Sequence, residues 1–562
     1  MTLPHRPQPH WAAWLIAAAV FAGPVHANAN DENFRPRIDA LFAEHDAWDR
    51  PGLAISVVRD GQLLYSRGYG CANLEYDVPI TPATVFHVAS VSKQFTCFAI
   101  VLLADDGKLS LDDDVRKHVP DVPDLGHTIT LRHLMNHTSG VRDQWTLLAM
   151  AGWRLDDVIT RDHILKLMRR QRDLNFVPGA EYLYSNMGYT LLAEVVANLS
   201  GKSFREFTDE RIFKPLGMTH THFHDDHEEI VPNRAYSYAP KGDGFRASVL
   251  SYANVGATSL FTTAEDLSRW LTNLDTGAGG GARAIELMHT QGVLNDGKQI
   301  DYALGLSLGT HRGQRTVGHG GSDAGYRTQV LRFPQEKLGI VVLSNSAGMN
   351  TQEAALKIAD VVLADKLEPE TPVANNEQSD ETIRVPIDTL QKYVGTYQLS
   401  DGGTTEVTLQ GDGLVAQLPG GPTMRMIPMA EREFLVKEVQ ARVQFAASDD
   451  PHAPAFTATV GGATLEAKRV EASAPVDLAP LVGAYYSDEL DTTYALVAYE
   501  GKLIVRHQRQ PDFELTHMRG DTFGGGTWYL QKVEFQRGAD GQIVGLLASS
   551  SRVRKVKFDR RP

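Results

Sequence analysis

Cysteine is almost missing from this chain, whose 562 residues include only Cys71 and Cys97. Two cysteines allow at most one internal disulfide, which excludes a disulfide scaffold and a cysteine-rich zinc site. The sequence leaves open whether the two are bonded or are simply core residues. Positive charge is also in deficit, since 55 Lys and Arg against 69 Asp and Glu give a formal net charge of −14. Such a chain repels phosphate backbones, so nucleic acid is not an expected partner.

Long apolar runs are missing as well, which predicts that no helix spans a membrane. The apolar run at residues 11–22 is shorter than the roughly 20 residues that a spanning helix needs, and no later run is longer. Arg6 precedes this run and Val25-His26-Ala27 follows it, a pattern typical of a secretory signal over residues 1–27. Cleavage after Ala29 fits equally well. We therefore expect a periplasmic or secreted protein.

The pattern along the chain predicts three folded units. Helical and strand patterns alternate over residues 28–366, which favours an α+β domain. Residues 367–386 are polar, acidic and without periodicity, as in a linker. Short alternating strands with Gly-rich turns follow, and helical periodicity is nearly absent, so residues 387–472 and 473–562 are expected to be all-β.

A weak repeat supports the division of this C-terminal part into two units. The run Tyr393-Val394-Gly395-Thr396-Tyr397 is echoed by Leu481-Val482-Gly483-Ala484-Tyr485, with a period of 88 residues. Roughly 90 residues of antiparallel strands are enough for a small closed barrel without exposed edges. We predict two consecutive barrels. The alternative is one continuous β-sandwich in which the echo is accidental.

The motif with the clearest chemistry is Ser90-Val91-Ser92-Lys93. The apolar run Gln94–Ala104 follows it and predicts a buried helix that starts at Ser90. Because positions i and i+3 share a helix face, the Lys93 amine can reach the Ser90 hydroxyl. The helix N-terminus and apolar surroundings disfavour a charged amine, as a lysine base requires. Alone the motif is weak, since a chain of this length contains about two by chance and a serine here often only caps a helix.

Two further motifs carry polar groups that suit the same chemistry. Tyr184-Ser185-Asn186 precedes a helical pattern and offers a phenol and an amide to one cleft, although such a run can also be a capping loop. His319-Gly320-Gly321-Ser322 precedes the strand pattern Tyr326–Phe333, and its glycines would let a substrate backbone approach closely. A lone His-Gly-Gly is usually only a turn.

Together and in this order, the three motifs resemble those of the active-site serine hydrolases that include class C β-lactamases, penicillin-binding DD-peptidases, D-aminopeptidases and related esterases. The resemblance covers about residues 35–365 and extends to the runs Ile129–Gly140, Pro215–Met218 and Gly256–Leu260. It implies an antiparallel sheet flanked by helices, with a helical subdomain. The part after the linker resembles the lipocalin-like β-barrel domains appended to some D-aminopeptidases.

The resemblance also implies a role for each motif residue. Ser90 would be the nucleophile, Lys93 and Tyr184 would shuttle its proton, and Asn186 would contact the substrate amide. The backbone N–H groups of Ser90 and Ser322 would hold the oxyanion. No metal or cofactor is expected. Which of Lys93 and Tyr184 is the base stays open, because coupled groups share their protons.

One departure from the family pattern bears on the substrate. β-Lactamases usually have a lysine where this chain has His319, and a permanent cation there favours a substrate carboxylate. The histidine therefore weakens the case for an efficient β-lactamase or DD-carboxypeptidase and favours D-aminopeptidase-like or esterase-like variants. We expect a hydrolase of D-amino-acid peptides or peptidoglycan-type fragments, with a carboxylesterase or a β-lactamase as alternatives. A non-catalytic cell-wall or peptide-binding protein is the alternative of another class, although Ser90, Lys93 and Tyr184 are all retained. The barrels could gate the site or drive oligomerisation.

A histidine-rich stretch has the residue types of a metal site but not its spacing. It contains four histidines and two aspartates, namely His220, His222, His224, His227, Asp225 and Asp226. Imidazole and carboxylate suit zinc or copper, but irregular i, i+2 spacing does not by itself assemble a tetrahedral site. We expect a surface connection that binds no metal.

Overall fold

The computed structural model describes residues 34–369, 383–400, 404–417, 423–436, 439, 441–448, 450–460, 463–470 and 476–562. The predicted signal peptide, most of the predicted linker and the boundary predicted between residues 472 and 473 lie outside these residues. Within the described ranges, no helix combines the length and the apolar character needed to cross a membrane.

The helices all precede the barrel strands and are α1 (Arg35–Leu41), α2 (Ser92–Asp105), α3 (Leu131–Met135), α4 (Gln144–Met150), α5 (Arg161–Arg170), α6 (Asn186–Ser200), α7 (Phe204–Thr208), α8 (Lys214–Leu216), α9 (Ala264–Thr276), α10 (Gly281–Met288), α11 (Thr351–Val362) and α12 (Ile387–Gln391). The strands of the first unit are β1 (Leu53–Arg59), β2 (Gln62–Tyr69), β3 (Cys71–Asn73), β4 (Val78–Pro79), β5 (Phe86–His87), β6 (Ile159–Thr160), β7 (His222–Phe223), β8 (Tyr238–Lys241), β9 (Gly244–Ala247), β10 (Tyr252–Ala253), β11 (Leu260–Thr262), β12 (Ser307–His311), β13 (Gln314–Asp323), β14 (Tyr326–Phe333) and β15 (Leu338–Ser344).

The C-terminal strands form two sets of eight. Barrel 1 contains β16 (Gly395–Leu399), β17 (Thr404–Gln410), β18 (Gly413–Gln417), β19 (Thr423–Ala430), β20 (Glu433–Val436), β21 (Ala441–Phe445), β22 (Ala455–Val460) and β23 (Ala463–Arg469). Barrel 2 contains β24 (Gly483–Ser487), β25 (Thr492–Tyr499), β26 (Lys502–His507), β27 (Gln510–Arg519), β28 (Thr522–Gly525), β29 (Lys532–Arg537), β30 (Ile543–Ser549) and β31 (Val556–Arg561).

The first unit is built around a six-stranded antiparallel sheet in the order β12-β13-β14-β15-β1-β2. Helices α1 and α11 cover one face and α9 covers the other. Side chains alternate between the faces of a strand, so Leu53, Ile55 and Val57 lie in one core while Ala54 and Val58 lie in the other. A sheet buried on both faces explains the nearly continuous apolar runs of the sequence, and the predicted α+β fold is confirmed.

Helix α2 is the centre of the helical part. Its residues from Ser92 to Leu103 are all buried, and the helix packs against α6 and α10. A helix that is apolar around its whole circumference is stable only inside a core. The predicted buried helix is therefore confirmed, but it begins at Ser92. Ser90 lies just before it, in the 3₁₀ turn Ala89–Val91, and is not an N-cap.

Both C-terminal units are closed barrels of eight antiparallel strands, so the prediction of two barrels is confirmed and the single β-sandwich is wrong. The sequence echo marks the same structural feature in each. In barrel 1 the buried Tyr397 hydroxyl donates to the carbonyl of Tyr393 at 2.9 Å, and Arg469 donates to the carbonyl of Val394 at 2.8 Å.

Barrel 2 repeats this arrangement, which we call the tyrosine–arginine clasp. The Tyr485 hydroxyl donates to the carbonyl of Leu481 at 2.8 Å, and Arg560 donates to that of Val482 at 2.7 Å. In both barrels the arginine comes from the last strand and binds the residues that lead into the first. The clasp therefore fastens the seam at which each barrel closes.

The two barrels differ in how they contact the rest of the chain. The core of barrel 2 is continuous with the core that contains α2, whereas barrel 1 has a core of its own. The Tyr494 hydroxyl donates to the carbonyl of Met150 at 2.6 Å. Arg142 pairs with Glu489 at 2.6 Å, and the exposed fractions of their side chains are 1% and 7%. Barrel 2 and the first unit are thus joined through a buried interface.

The buried ion pair at this interface should contribute strongly to stability. Substituting Glu489→Gln leaves the Arg142 guanidinium without its counter-charge in a water-excluded place, and we expect a loss of about 3–5 kcal/mol in the free energy of unfolding. Urea titration followed by fluorescence measures this. The matched control is Asp512→Asn in the same barrel, which breaks an exposed pair with Arg506 and should cost less than about 1 kcal/mol. Equal losses in both variants would contradict the assignment.

Candidate active site

The fold brings the three sequence motifs to one place. Ser90 is half-buried in the turn before α2, and Tyr184 lies just before α6. The run His319–Ser322 forms part of β13, so it is strand and not turn. The 3₁₀ turn that carries Ser90 packs directly against β13. The three motifs therefore meet at the start of α2, at the loop before α6 and on strand β13.

The amine of Lys93 is the hub of this site and is completely buried. Its Nζ lies 3.1 Å from the Ser90 Oγ and 2.8 Å from the Asn186 Oδ1. The carbonyl oxygen of Ala257 accepts a third hydrogen bond at 2.7 Å. Ala257 belongs to the run Gly256–Leu260 noted in the sequence, but no sequence rule indicated that its carbonyl would bind the lysine.

Burial shifts the pKa values of Lys93 and Tyr184 in opposite directions. It lowers the pKa of Lys93 to about 7, although the carboxylates of Asp323 and Asp143 favour its charged form. It raises the pKa of Tyr184 well above its usual value, while a hydrogen bond with Ser90 opposes this shift. Near neutral pH, Lys93 is therefore part neutral amine and Tyr184 is a neutral phenol.

The turn at Ser90 is conformationally unusual, and β13 closes in on it. Ala89 has φ +48°, a left-handed value that costs a non-glycine residue about 1–2 kcal/mol. A Cβ at Gly321 would lie 2.3 Å from both the Val88 carbonyl oxygen and the Thr328 Oγ1. The sequence prediction was that these glycines make room for substrate. At Gly321 the space that a Cβ would take is filled by the chain's own atoms, and the predicted approach of substrate stays a prediction.

His319 is an uncharged part of the site wall. Its Nδ1 donates to the carbonyl of Gly320 at 2.6 Å, which leaves Nε2 to accept from the Tyr302 hydroxyl at 2.9 Å. Burial and the nearby Lys93 lower the pKa of His319 to about 4. The histidine therefore supplies no positive charge at neutral pH.

Asn186 is held from two sides. Its Oδ1 accepts from Lys93, and its Nδ2 donates to the Asp143 Oδ1 at 2.7 Å. The same carboxylate oxygen accepts the Asn186 backbone N–H at 2.8 Å. One side-chain N–H of Asn186 is then left for a substrate carbonyl. Asp143 was missed in the sequence analysis. An aspartate at the start of a helix predicts an N-cap, and Asp143 does cap α4, but this pattern gives no sign of a contact with Asn186.

Two other residues complete the surroundings of Tyr184, and neither was assigned to the site from sequence. The ring of His137 lies 4.0 Å from the Tyr184 ring, centroid to centroid, and its Nδ1 accepts the Ser185 N–H. The guanidinium carbon of Arg552 lies 4.9 Å from the Tyr184 centroid. Arg552 belongs to barrel 2, which is why no local pattern could reveal it.

The histidine-rich stretch places three possible ligands together. The ligand atoms of His222, His224 and Glu229 all lie within 4.8 Å of one another, whereas the sequence singled out neither this trio nor Glu229. Arg205 binds both oxygens of Glu229, so the carboxylate is already neutralised. Cys71 and Cys97 are both buried free thiols.

Comparisons with known proteins agree with this geometry. The model of the Beta-lactamase family matches residues 38–364, and that of a domain of unknown function, DUF3471, matches residues 379–471. The chain is 28% identical to penicillin-binding protein 4* of Bacillus subtilis, over 78% of this chain and 100% of that protein. It is 27% identical to a D-aminopeptidase of Brucella anthropi, over 91% of this chain and 95% of that protein.

Solved structures show the same fold. An octameric penicillin-binding protein homologue from Pyrococcus abyssi superposes with a TM-score of 0.55 and 26% identity, covering 77% of this chain and 99% of that one. EstCE1, a hydrolase with promiscuous acyltransferase activity, has a TM-score of 0.51 at 23% identity and covers 60% of this chain and 100% of its own. Since the family model covers more than half of its residues, the chain belongs to the Beta-lactamase family and is a serine hydrolase.

Proposed function

We propose that this hydrolase cleaves amide or ester bonds through an acyl-Ser90 intermediate, on peptides that contain D-amino acids or on peptidoglycan-type fragments. The observation that carries the proposal is the buried Lys93 amine, 3.1 Å from the Ser90 hydroxyl and with a pKa near 7. The full-length similarity to a D-aminopeptidase supports the substrate class. A carboxylesterase and a β-lactamase are the alternatives within the family.

Lys93 acts as the base in the first step. As a neutral amine it has two N–H groups and one lone pair. The N–H groups donate to the Asn186 Oδ1 and the Ala257 carbonyl, so the lone pair is left to accept the Ser90 proton. The freed Ser90 oxygen forms a bond to the substrate carbonyl carbon, whose π electrons move to oxygen. The backbone N–H groups of Ser90 and Ser322 stabilise that oxyanion, because β13 packs against the Ser90 turn.

Tyr184 supplies the proton for the second half of acylation. The bond between the carbonyl carbon and the leaving nitrogen or oxygen breaks, and the leaving group takes the phenol proton. The Lys93 ammonium, formed in the first step and 4.9 Å from the centroid of the Tyr184 ring, then gives its proton back to the phenolate directly. Water attacks the ester in the reverse sequence and releases the acid and the free Ser90 hydroxyl. Because the pKa of Tyr184 is raised, its phenolate takes up a new proton readily after giving one to the leaving group.

We also propose that the chain is exported, which would bring it to cell-wall fragments. The charge, apolar run and small residues of positions 1–27 support this. The net charge of −14 supports a small-molecule or peptide substrate over a nucleic acid. Assembly through the barrels is a further proposal, for which the octameric homologue from Pyrococcus abyssi is the support.

A fluorophosphonate probe should add one adduct to Ser90. We expect intact-mass spectrometry to show a single adduct on the wild type and none on Ser90→Ala, because the buried Lys93 amine lies within hydrogen-bond distance of the Ser90 hydroxyl. The matched control is Ser92→Ala, which removes a buried serine two residues away and should leave labelling in place. No adduct on folded wild type would favour a non-catalytic binding protein. A panel of D-amino-acid amides, nitrocefin and short acyl esters then separates the substrate classes.

The pH dependence should report the proton on Lys93. Only the neutral amine accepts the Ser90 proton, so kcat/KM for an uncharged substrate should rise about tenfold per pH unit below 7 and level off above it. Neither Tyr184 nor His319 changes charge in this range, because their pKa values lie far above and below it. A rising limb centred near pH 4 would instead identify His319 as the titrating base.

The fit of β13 against the Ser90 turn is tested by a pair of glycine substitutions. Gly321→Ala drives a methyl group into the Val88 carbonyl and should push Ser322 away from the oxyanion position. We expect kcat to fall about 10²–10³-fold, the usual loss for one oxyanion donor. Gly320→Ala meets only the flexible end of Gln329, at 3.0 Å, and should lose much less. Equal losses, or a collapse of the melting temperature in Gly321→Ala, would count against an oxyanion role for Ser322.

A further inference from the structure

The segment that joins β30 to β31 in barrel 2 is fixed to the mouth of the active site. We call residues 550–555 the barrel-2 loop. The side chain of Asn175 donates to the carbonyl of Arg552 at 2.9 Å and accepts the N–H of Arg554 at 2.7 Å. Arg142 donates to the carbonyl of Arg554 at 2.9 Å, and Val553 is completely buried. These contacts hold the loop backbone in place, and they therefore fix the position from which the Arg552 side chain extends.

Arg552 differs from the other arginines of this interface in having no counter-charge. Within the described residues, no carboxylate oxygen lies within 4.0 Å of its guanidinium nitrogens, although the group sits above the Tyr184 ring. By contrast, Arg554 pairs with Glu181 at 2.9 Å, and Arg509 pairs with Asp157 at 2.6 Å. Arg552 is also exposed to solvent. A guanidinium that lies at the entrance of a site and has no carboxylate partner in the protein can bind an anionic group of a ligand.

The charges around it strengthen this interpretation. His319 is neutral, and Lys93 must be neutral to work as a base. Arg327, which lies across from Ser322 on β14, donates to the carbonyls of Ala324 and Tyr326 at the end of its own hairpin. Of these described cations, Arg552 is the one exposed to solvent, whereas Arg327 is half-buried and held through its Nη1.

The position of Arg552 indicates which part of a substrate it would meet. Tyr184 delivers its proton to the leaving group, so a guanidinium that lies against its ring lies on the leaving-group side. The guanidinium carbon and the Lys93 Nζ each lie 4.9 Å from the centroid of the Tyr184 ring, and that Nζ lies 3.1 Å from the Ser90 Oγ. The guanidinium is therefore within about 13 Å of the Ser90 Oγ. One extended residue spans about 3.5 Å, so a carboxylate one or two residues beyond the cleaved bond fits that distance.

We propose that Arg552 binds the carboxylate of the leaving group, so that the enzyme selects short peptides with a free C-terminus over their neutral amides. The cation that the His319 position lacks is supplied in this chain by barrel 2. The proposal rests on the acyl-Ser90 mechanism for the side of the site that it assigns. The carboxylate subsite itself predicts a difference in ligand affinity, which can be measured in a protein that does not turn over substrate.

The test measures binding by calorimetry in the full-length Ser90→Ala protein, with D-alanyl-D-alanine and D-alanyl-D-alaninamide as probes. We expect the acid to bind at least about tenfold more tightly than the amide. Adding Arg552→Gln should abolish the difference by weakening the acid alone, and Arg552→Lys should restore part of it. The control is Arg509→Gln, which removes another barrel-2 arginine that lies over an aromatic ring, here Trp153 at 5.1 Å, and should change nothing.

The outcomes separate this proposal from the acyl-enzyme proposal. Equal affinity for acid and amide, no detectable binding of the acid, or an acid preference that survives Arg552→Gln would each overturn the role of Arg552. If Ser90 is labelled by the fluorophosphonate in that case, the acyl-enzyme mechanism stands. A carboxylate preference lost in Arg552→Gln, together with an unlabelled wild-type Ser90, would support the subsite and overturn the mechanism. In the active enzyme, Arg552→Gln should raise KM for the acid and leave kcat nearly unchanged.

Discussion

The whole site depends on keeping an amine uncharged inside a packed helical core. An ammonium ion taken out of water is strongly disfavoured unless it gains a partner at contact distance. Lys93 has carbonyl and amide oxygens at contact distance, while the carboxylates of Asp143 and Asp323 act on it without bonding to it. The balance holds its pKa near neutrality. Anything that let water reach α2 would raise that pKa again and return Lys93 to its charged form.

The other parts of the fold can be understood as serving this one group. The antiparallel sheet, buried on both faces, fixes β13, and the absence of a side chain at Gly321 lets β13 touch the turn of Ser90. Asp143 orients Asn186, which in turn orients Lys93. The positioning thus runs through a short chain of buried polar groups. Each of them is hydrogen-bonded to the next, which favours a single arrangement of the chain of groups.

Much of this could be predicted from local pattern. The i, i+3 spacing of Ser90 and Lys93 and the apolar run after them involve residues near one another in sequence, and the echo of Tyr397 at Tyr485 can be read from the sequence as a repeat. What could not be predicted depends on distant packing. The carbonyl of Ala257, the carboxylate of Asp143 and the guanidinium of Arg552 reach the site through tertiary contacts. The neutral state of His319 follows from its burial, which the sequence does not show.

The tyrosine–arginine clasp has a consequence for how such a chain can change. Each barrel is fastened at its seam by a tyrosine of its first strand, an arginine of its last strand and the carbonyls just before the first strand. In barrel 2 the loop of residues 550–555 is not part of this clasp. A duplicated barrel could therefore keep its fold while one of its loops acquired a new task. Barrel 1 retains a separate core, whereas a loop of barrel 2 is hydrogen-bonded to the first unit beside the site. Closure of a barrel and contact with the first unit depend on different residues, so one can change while the other is kept.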